Sequence, residues 1–386
     1  MAIVPPMEGK TQCYPKRVDL RPVMRGRSHT LDALRGLAAL AVVMWHWRHF
    51  GYDGTVAGHI DVAQFPASHA LRFFYEQGGK AVSLFFVISG FVFYWLYARR
   101  VASAGIGPQE FALLRFSRLY PLHLATLLFV AALQPLYLSA TGSYFIYAYN
   151  DAKHFVLNLF FASFWGAQVD ESFNGPSWSI SIEVLLYAIF FGMVRFVSPG
   201  FRGALLGIAA GIAALVLYRP LGHGLCGFFA GGCAQLVHER LQRRWSSAVW
   251  AATIVAWCVT VGFSLAPEKV PAPLQVPWMY FVLFPLTVLS AALLGDMQPD
   301  AGKRVAWLGD ISYASYLIHF PLQLTMALAA AMLGWTVSVS SGTTLVAFFV
   351  TLIALSLLSY HRFEMPVQGW IRARYAKITT ASGVAS

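Results

Sequence analysis

The sequence predicts an all-α polytopic membrane protein, with about ten transmembrane helices in one bundle. Three observations carry this. Hydrophobic residues make up 58% of the 386-residue chain and charged residues 12%, with a mean hydropathy of +0.58. A soluble chain of this length needs more charge to cover its surface. Second, apolar segments near the ~20 residues that cross a bilayer recur at 31–50, 81–98, 119–139, 176–194, 203–219, 222–238, 246–265, 277–295, 311–334 and 342–360. Third, with the N-terminus in the cytoplasm, Lys and Arg collect on that side, the exceptions being Arg48, Arg72, Lys80, Lys153, Arg219 and Lys269. This is the asymmetry of the positive-inside rule, and ten spans leave both termini cytoplasmic.

The net charge of +11 therefore reads as topology. It is spread over the ends of apolar segments and forms no patch suited to nucleic acid. Residues 1–29 are polar and basic without an apolar core, which makes them a cytoplasmic tail and not a cleavable signal peptide. The membrane domain then covers 30–366, and 367–386 form a second cytoplasmic tail. The four cysteines, Cys13, Cys226, Cys233 and Cys258, have neither metal-ligand spacing nor a disulfide framework. No metal site is expected.

Segment one, LDALRGLAALAVVMWHWRHF, carries Arg35 and His46 on a lipid-compatible helix. Eleven steps at 100° bring them to one face, separated by roughly 16 Å along the axis. Charged groups so placed face a polar cavity more often than lipid. His49 and Asp53 form an HxxxD pattern, discounted as a short match in an outer loop. Segment two has a small polar break at Ser89-Gly90, which suits helix packing as well as function. Arg115 and Arg118, at i and i+3, suit either a phosphate or a topological anchor.

The stretch from His154 to Gly166 is apolar but too short to span, and reads as a half-helix or interfacial element. Segment four opens with PSWSISIE and places Glu183 roughly 10 Å into the membrane from Pro176. An intramembrane carboxylate there orients a histidine, pairs with an arginine or binds a substrate hydroxyl. Segments five and six carry GIAAG and GFFAG, the small-residue spacing that lets helices approach closely. On segment nine, Ser312, Ser315, Tyr316 and His319 fall at i, i+3, i+4 and i+7, a polar stripe. Glu364-Met365-Pro366 is expected to close the last helix.

Taken in order, LDALRGLAAL with its Arg-x10-His, LFFVISGF, RFSRLYP, PSWSISIE, ISYASYLIHFPL and RFEMP resemble the motifs of the membrane acyltransferase-3 family, over about 31–366. That family includes bacterial O-acetyltransferases of surface polysaccharides. The resemblance implies a bacterial plasma (inner) membrane enzyme that takes an acyl group from acetyl-CoA or a related thioester, used as co-substrate without a permanently bound cofactor. The acceptor is a hydroxyl, commonly of a sugar or glycan. It makes Arg35 and His46 the essential pair of the first helix, and Arg115 and Arg118 the RxxR that meets the CoA phosphates. Ser89, Trp178, Ser181, Glu183, Tyr316 and His319 match motif positions with supporting or substrate roles. In the mechanism this suggests, His46 is a general base or an acyl carrier and Glu183 orients it or binds the acceptor. The alternatives are an acyltransferase acting on a small-molecule natural product, and a proton-coupled transporter built on the same intramembrane charges.

Overall fold

The computed structural model describes residues 27–51, 61–241, 245–265 and 272–381. Most of the N-terminal tail, including Cys13, and Asp53 of the HxxxD pattern lie outside them. All ten predicted segments are helical, and no strand occurs among the described residues. The helices are α1 (His29–Trp45), α2 (Ser68–Gln77), α3 (Ala81–Phe93), α4 (Arg99–Ala102), α5 (Pro108–Thr141), α6 (Ala152–Leu159), α7 (Trp178–Phe196) and α8 (Phe201–Leu217), followed by α9 (Arg219–His238) and α10 (Ser246–Leu265). The remainder are α11 (Ala272–Trp278), α12 (Phe284–Met297), α13 (Trp307–Asp310), α14 (Ser312–Leu333), α15 (Gly342–Ser359) and α16 (Met365–Ala381). Seven continuous helical stretches are long and apolar enough to cross a membrane. Of the other three, α1 and α8 have only 17 residues each, and α9 is diluted by glycine.

The glycine spacings act as expected. A Cβ on Gly211 would press on the Cys226 backbone, and one on Gly207 would enter the Phe229 ring, so these glycines admit α9 against α8. On the other face of α9, a Cβ on Gly231 would strike the Val87 carbonyl, and one on Gly90 would strike that of Phe228. Helices α3 and α9 thus touch backbone to backbone, and the small break at Ser89-Gly90 serves this packing on its glycine side. Phe86, Phe93, Phe190, Phe228 and Phe229 fill the core between α3, α7 and α9.

Three elements depart from the sequence reading. The first helix ends at Trp45, and His46–Gly51 tighten into a 3₁₀ turn. The stretch 154–166 is helical only to Leu159, and at 1.5 Å per residue the eight residues of α6 reach about 12 Å, so it does not span. The helix also does not close at Glu364-Met365-Pro366. Tyr360–Glu364 form a π-turn and α16 continues to Ala381. A proline is tolerated where the regular hydrogen-bond ladder is already interrupted. Similar π-turns interrupt the chain at Tyr94–Ala98 and Met279–Leu283.

Candidate active site

Five helices converge on one cavity of about 120 Å³. Arg35 comes from α1 and Ser89 from α3. Helix α5 supplies Arg115 and Arg118, α7 supplies Ser179, Glu183 and Tyr187, and α14 supplies Ser312, Tyr313 and Tyr316. The i, i+4, i+8 spacing of Ser179, Glu183 and Tyr187 puts all three on one face of α7.

At one end stand the arginines. Arg35 is fastened where α13 meets α14: its Nη2 donates to the Gly309 carbonyl at 2.7 Å and its Nε to Ser312 Oγ at 3.1 Å. Asp32, one turn before it, lies 3.3 Å from Nη2 and also takes Arg27 at 2.5 Å, while Arg27 reaches Asp310 at 2.6 Å. This clasp requires close helices, and a Cβ on Gly36 or Gly309 would drive into the opposing backbone. Arg115 lies over the rings of Phe93 and Tyr97, 5.1 and 4.7 Å from their centroids, and donates to the Tyr97 hydroxyl. The π-turn at Tyr94–Ala98 delivers Tyr97 to it. The Arg115 Nε is buried without a partner, and Arg118 is exposed. Among the described residues neither has a carboxylate within 4.0 Å.

In the middle, Ser89 Oγ donates to Glu183 Oε1 at 2.7 Å. The Tyr316 hydroxyl meets Ser179 Oγ and the Pro176 carbonyl, each at 2.7 Å. Beyond Tyr316 lies a second group. His319 stacks on His46 with ring centroids 4.8 Å apart, and His49 lies 4.7 Å from His46. Both ring nitrogens of His319 and Nδ1 of His46 are buried and make no hydrogen bond of good geometry. The polar groups nearest the rings are backbone carbonyls of the preceding turn, Ser315 and Tyr316 for His319 and Val42 for His46. Gln323 ties the group together: its Nε2 donates to the His46 carbonyl at 2.8 Å, and its Oε1 lies 2.9 Å from His49 Nδ1. A carbonyl only accepts, so the amide orientation is fixed and His49 must donate from Nδ1. That leaves His49 Nε2 as the basic nitrogen when the ring is neutral.

The structure thus sorts the predicted residues. Arg35, Arg115, Arg118, Ser89, Glu183 and Tyr316 line one cavity, and Tyr316, whose ring is 5.9 Å from that of His319, joins it to His46 and His319. Glu183 bonds Ser89 and makes no hydrogen bond to His46, so the orienting role is not its own. Two residues turn away from the cavity. Ser181 Oγ accepts from Phe164 N at 3.0 Å and pins the loop after α6, and Trp178 packs on Phe164 and Phe86. His123 braces the end of α6, donating to the Asn158 carbonyl at 2.8 Å. His49, discounted in the sequence, is buried against His46. Gln323, Ser179 and Tyr97 were missed. Gln323 lies one turn beyond His319 on the same stripe, which was a readable signal.

Among the described residues no group of three or more His, Cys, Asp and Glu side chains is placed to hold a metal ion.

The class this defines is a helical membrane bundle with an arginine-lined cavity and, past Tyr316, a buried histidine group that packs against the cavity wall. The family model described as an acyltransferase domain matches residues 28–361, and the chain belongs to that acyltransferase-3 family. It is a multi-pass membrane O-acyltransferase, which sets aside the transporter alternative. The chain is 28% identical to Acyltransferase MdmB of Streptomyces mycarofaciens over 368 residues, 86% of this chain and 89% of that protein. It is 24% identical to the exopolysaccharide production protein ExoZ of Rhizobium meliloti (strain 1021), over 80% of this chain and 96% of that one. A shorter match, 38% identical over 103 residues, is to Protein 2 in picA locus of Rhizobium radiobacter and covers 26% of this chain and 43% of that protein. No solved structure matches.

Proposed function

We propose that the enzyme moves an acyl group, acetyl in the simplest case, from acyl-CoA on the cytoplasmic side of the bacterial inner membrane to a hydroxyl of a sugar or surface glycan. The observation that carries this is the polarity of the site: the Arg115 and Arg118 guanidinium groups in the cavity, with no carboxylate at ion-pair distance among the described residues, and stacked imidazoles beyond Tyr316. Guanidinium forks match phosphate oxygens. A neutral imidazole, with an ordinary pKa of about 6.5, suits proton abstraction from a hydroxyl near neutral pH. The name of the Rhizobium relative ExoZ supports a glycan acceptor.

In this reading Arg115 and Arg118 hold the CoA phosphates, and the pantetheine arm follows the cavity past Glu183 to Tyr316. An acceptor hydroxyl gives its proton to the His46 imidazole, and its oxygen attacks the thioester carbonyl carbon. The carbon–sulfur bond breaks, and the departing thiolate receives the proton from the imidazolium. Arg35, already committed to Gly309 and Ser312, positions the donor from the arginine end. Glu183 accepts from Ser89 and also faces the Tyr187 hydroxyl one turn on, and a substrate N–H or O–H would join or displace these donors.

The test is acceptor-dependent CoA release from acetyl-CoA by the purified protein in detergent or nanodiscs. Release that rises with added polysaccharide and acetylates its hydroxyls is expected. Absence of acetyl-CoA binding by folded protein would overturn the donor, and turnover with donor but no glycan product would overturn the acceptor.

A further inference from the structure

We propose that Arg372, on the C-terminal helix, is a third phosphate-binding guanidinium and reads the 3′-phosphate of coenzyme A. The inference rests on the acyl-CoA donor reading above and extends its site to a segment that resembles a tail in the sequence. Helix α16 continues past Pro366 and packs on α5. There the Arg372 Nε donates to Ser117 Oγ at 3.2 Å, and Nη2 reaches the Leu114 carbonyl at 3.4 Å. Leu114 and Ser117 immediately precede Arg115 and Arg118, so all three guanidinium groups gather along about one turn of α5. The charges of both Arg115 and Arg118 act on Arg372.

Fastening one helix to another does not call for this charge. A neutral amide can donate to the same hydroxyl, and a third cation beside two others adds repulsion. Among the described residues no carboxylate lies within ion-pair distance of Arg372 to offset it. Three cations held together with no acid in ion-pair contact match a ligand with several phosphates. Both bonds use Nε and Nη2, leaving the Nη1 donors of Arg372 for a ligand.

Position assigns the phosphate. Arg115 and Arg118 line the cavity and Arg372 does not. In coenzyme A the pyrophosphate joins the pantetheine arm to the nucleotide, so an arm inside the cavity leaves the pyrophosphate at its mouth beside Arg115 and Arg118. The ribose and its 3′-phosphate then lie farther out, where Arg372 stands. A phosphate monoester carries close to two negative charges at neutral pH, about the charge two guanidinium groups balance.

The experiment compares acetyl-CoA with acetyl-3′-dephospho-CoA in the full-length protein, measuring Kd and KM for wild type, Arg372→Gln and Arg372→Lys. The glutamine keeps a donor for Ser117 Oγ at the level of the arginine Nε and removes the charge, so a folding defect is separated from a binding defect. Wild type should prefer acetyl-CoA by about 10-fold. Arg372→Gln should lose that preference while binding the dephospho donor as wild type does, and Arg372→Lys should recover part of it. Equal weakening toward both donors, or no effect on either, overturns the assignment while leaving the donor reading intact. A wild type that binds neither donor overturns both.

Discussion

The arginine-lined cavity and the histidine group beyond Tyr316 solve opposite problems. At the arginine end, Arg118 is exposed and Arg115 lies over two aromatic rings. At the histidine end, His319 is 0% and His46 6% exposed, and among the described residues no carboxylate pairs with either. An exposed cation such as Arg118 gives reach and salt-sensitive attraction to an anionic ligand, at modest strength per contact. Buried imidazoles without a counter-charge keep a basic lone pair in place, at the cost of unsatisfied nitrogens. Many histidine bases are oriented by a carboxylate on the second ring nitrogen. Here the carboxylate, Glu183, is spent on Ser89, and a backbone clamp from Gln323 sets the histidine end instead. Binding and proton transfer are therefore separable in space, and substitutions should separate them in kinetics.

The sharpest break comes from His46→Ala. It should lower kcat by about 10³-fold, the usual contribution of a general base, while the Kd for acetyl-CoA stays within about twofold. A large loss of donor affinity would mean that the two ends are not independent. Arg115→Ala should show the converse, raising the KM for acetyl-CoA by about 10- to 100-fold with a smaller change in kcat. The wild-type KM should also rise with ionic strength, since an exposed arginine site is screened. Single-turnover measurements beside equilibrium binding distinguish the two variants, and identical signatures would erase the comparison.

How far the sequence anticipates this depends on the kind of information. Helix existence follows from composition over about 20 residues, so each apolar segment is found. Helix ends follow from local hydrogen bonding that composition does not register: α1 stops at Trp45 because the chain tightens into a 3₁₀ turn, and a π-turn lets α16 continue through Pro366. Within one helix the site is readable, since the face of α14 carrying Ser312, Tyr316 and His319 simply continues to Gln323. Between helices it is not. Nothing in 3.6-residue periodicity says that Ser89 of α3 donates to Glu183 of α7, or that α16 returns to α5. His49 shows the same limit from the other side. Its short pattern carries little weight alone, and only packing against His46 and Gln323 marks it.

The clamp allows a finer test of the histidine end. Gln323→Leu removes the donor to the His46 carbonyl, and a buried carbonyl left without a partner costs about 1–3 kcal/mol. Because that carbonyl sits where α1 passes into the 3₁₀ turn, the His46 ring should shift with it. A loss of kcat of about 10-fold at unchanged donor Kd is expected, and a variant that is destabilised yet fully active would reduce Gln323 to a packing residue. His49→Phe should cost less, since the Gln323 bond to the backbone survives it.

The smallest effect lies at the connector between α6 and α7, whose Glu171 charge reaches Tyr316. Burial, reinforced by neighbouring Asp170, pushes the Glu171 carboxyl up to about 7. Its unfolded value is near the ordinary 4.5, so between these limits the folded state holds the extra proton. The linkage relation then makes stability fall as pH rises from about 4.5 to 7, because ionisation is easier in the unfolded chain. After allowance for solvent screening this loss is about 1 kcal/mol, which corresponds to a Tm change of about 1–3 °C. Glu171→Gln should be as stable at pH 7.5 as at pH 5 with respect to this ionisation, while wild type loses Tm over that interval. The comparison of the two slopes cancels every other titrating group. Parallel slopes would show that the Glu171 carboxyl is solvated, and that the poorly solvated character of the histidine end stops short of this connector.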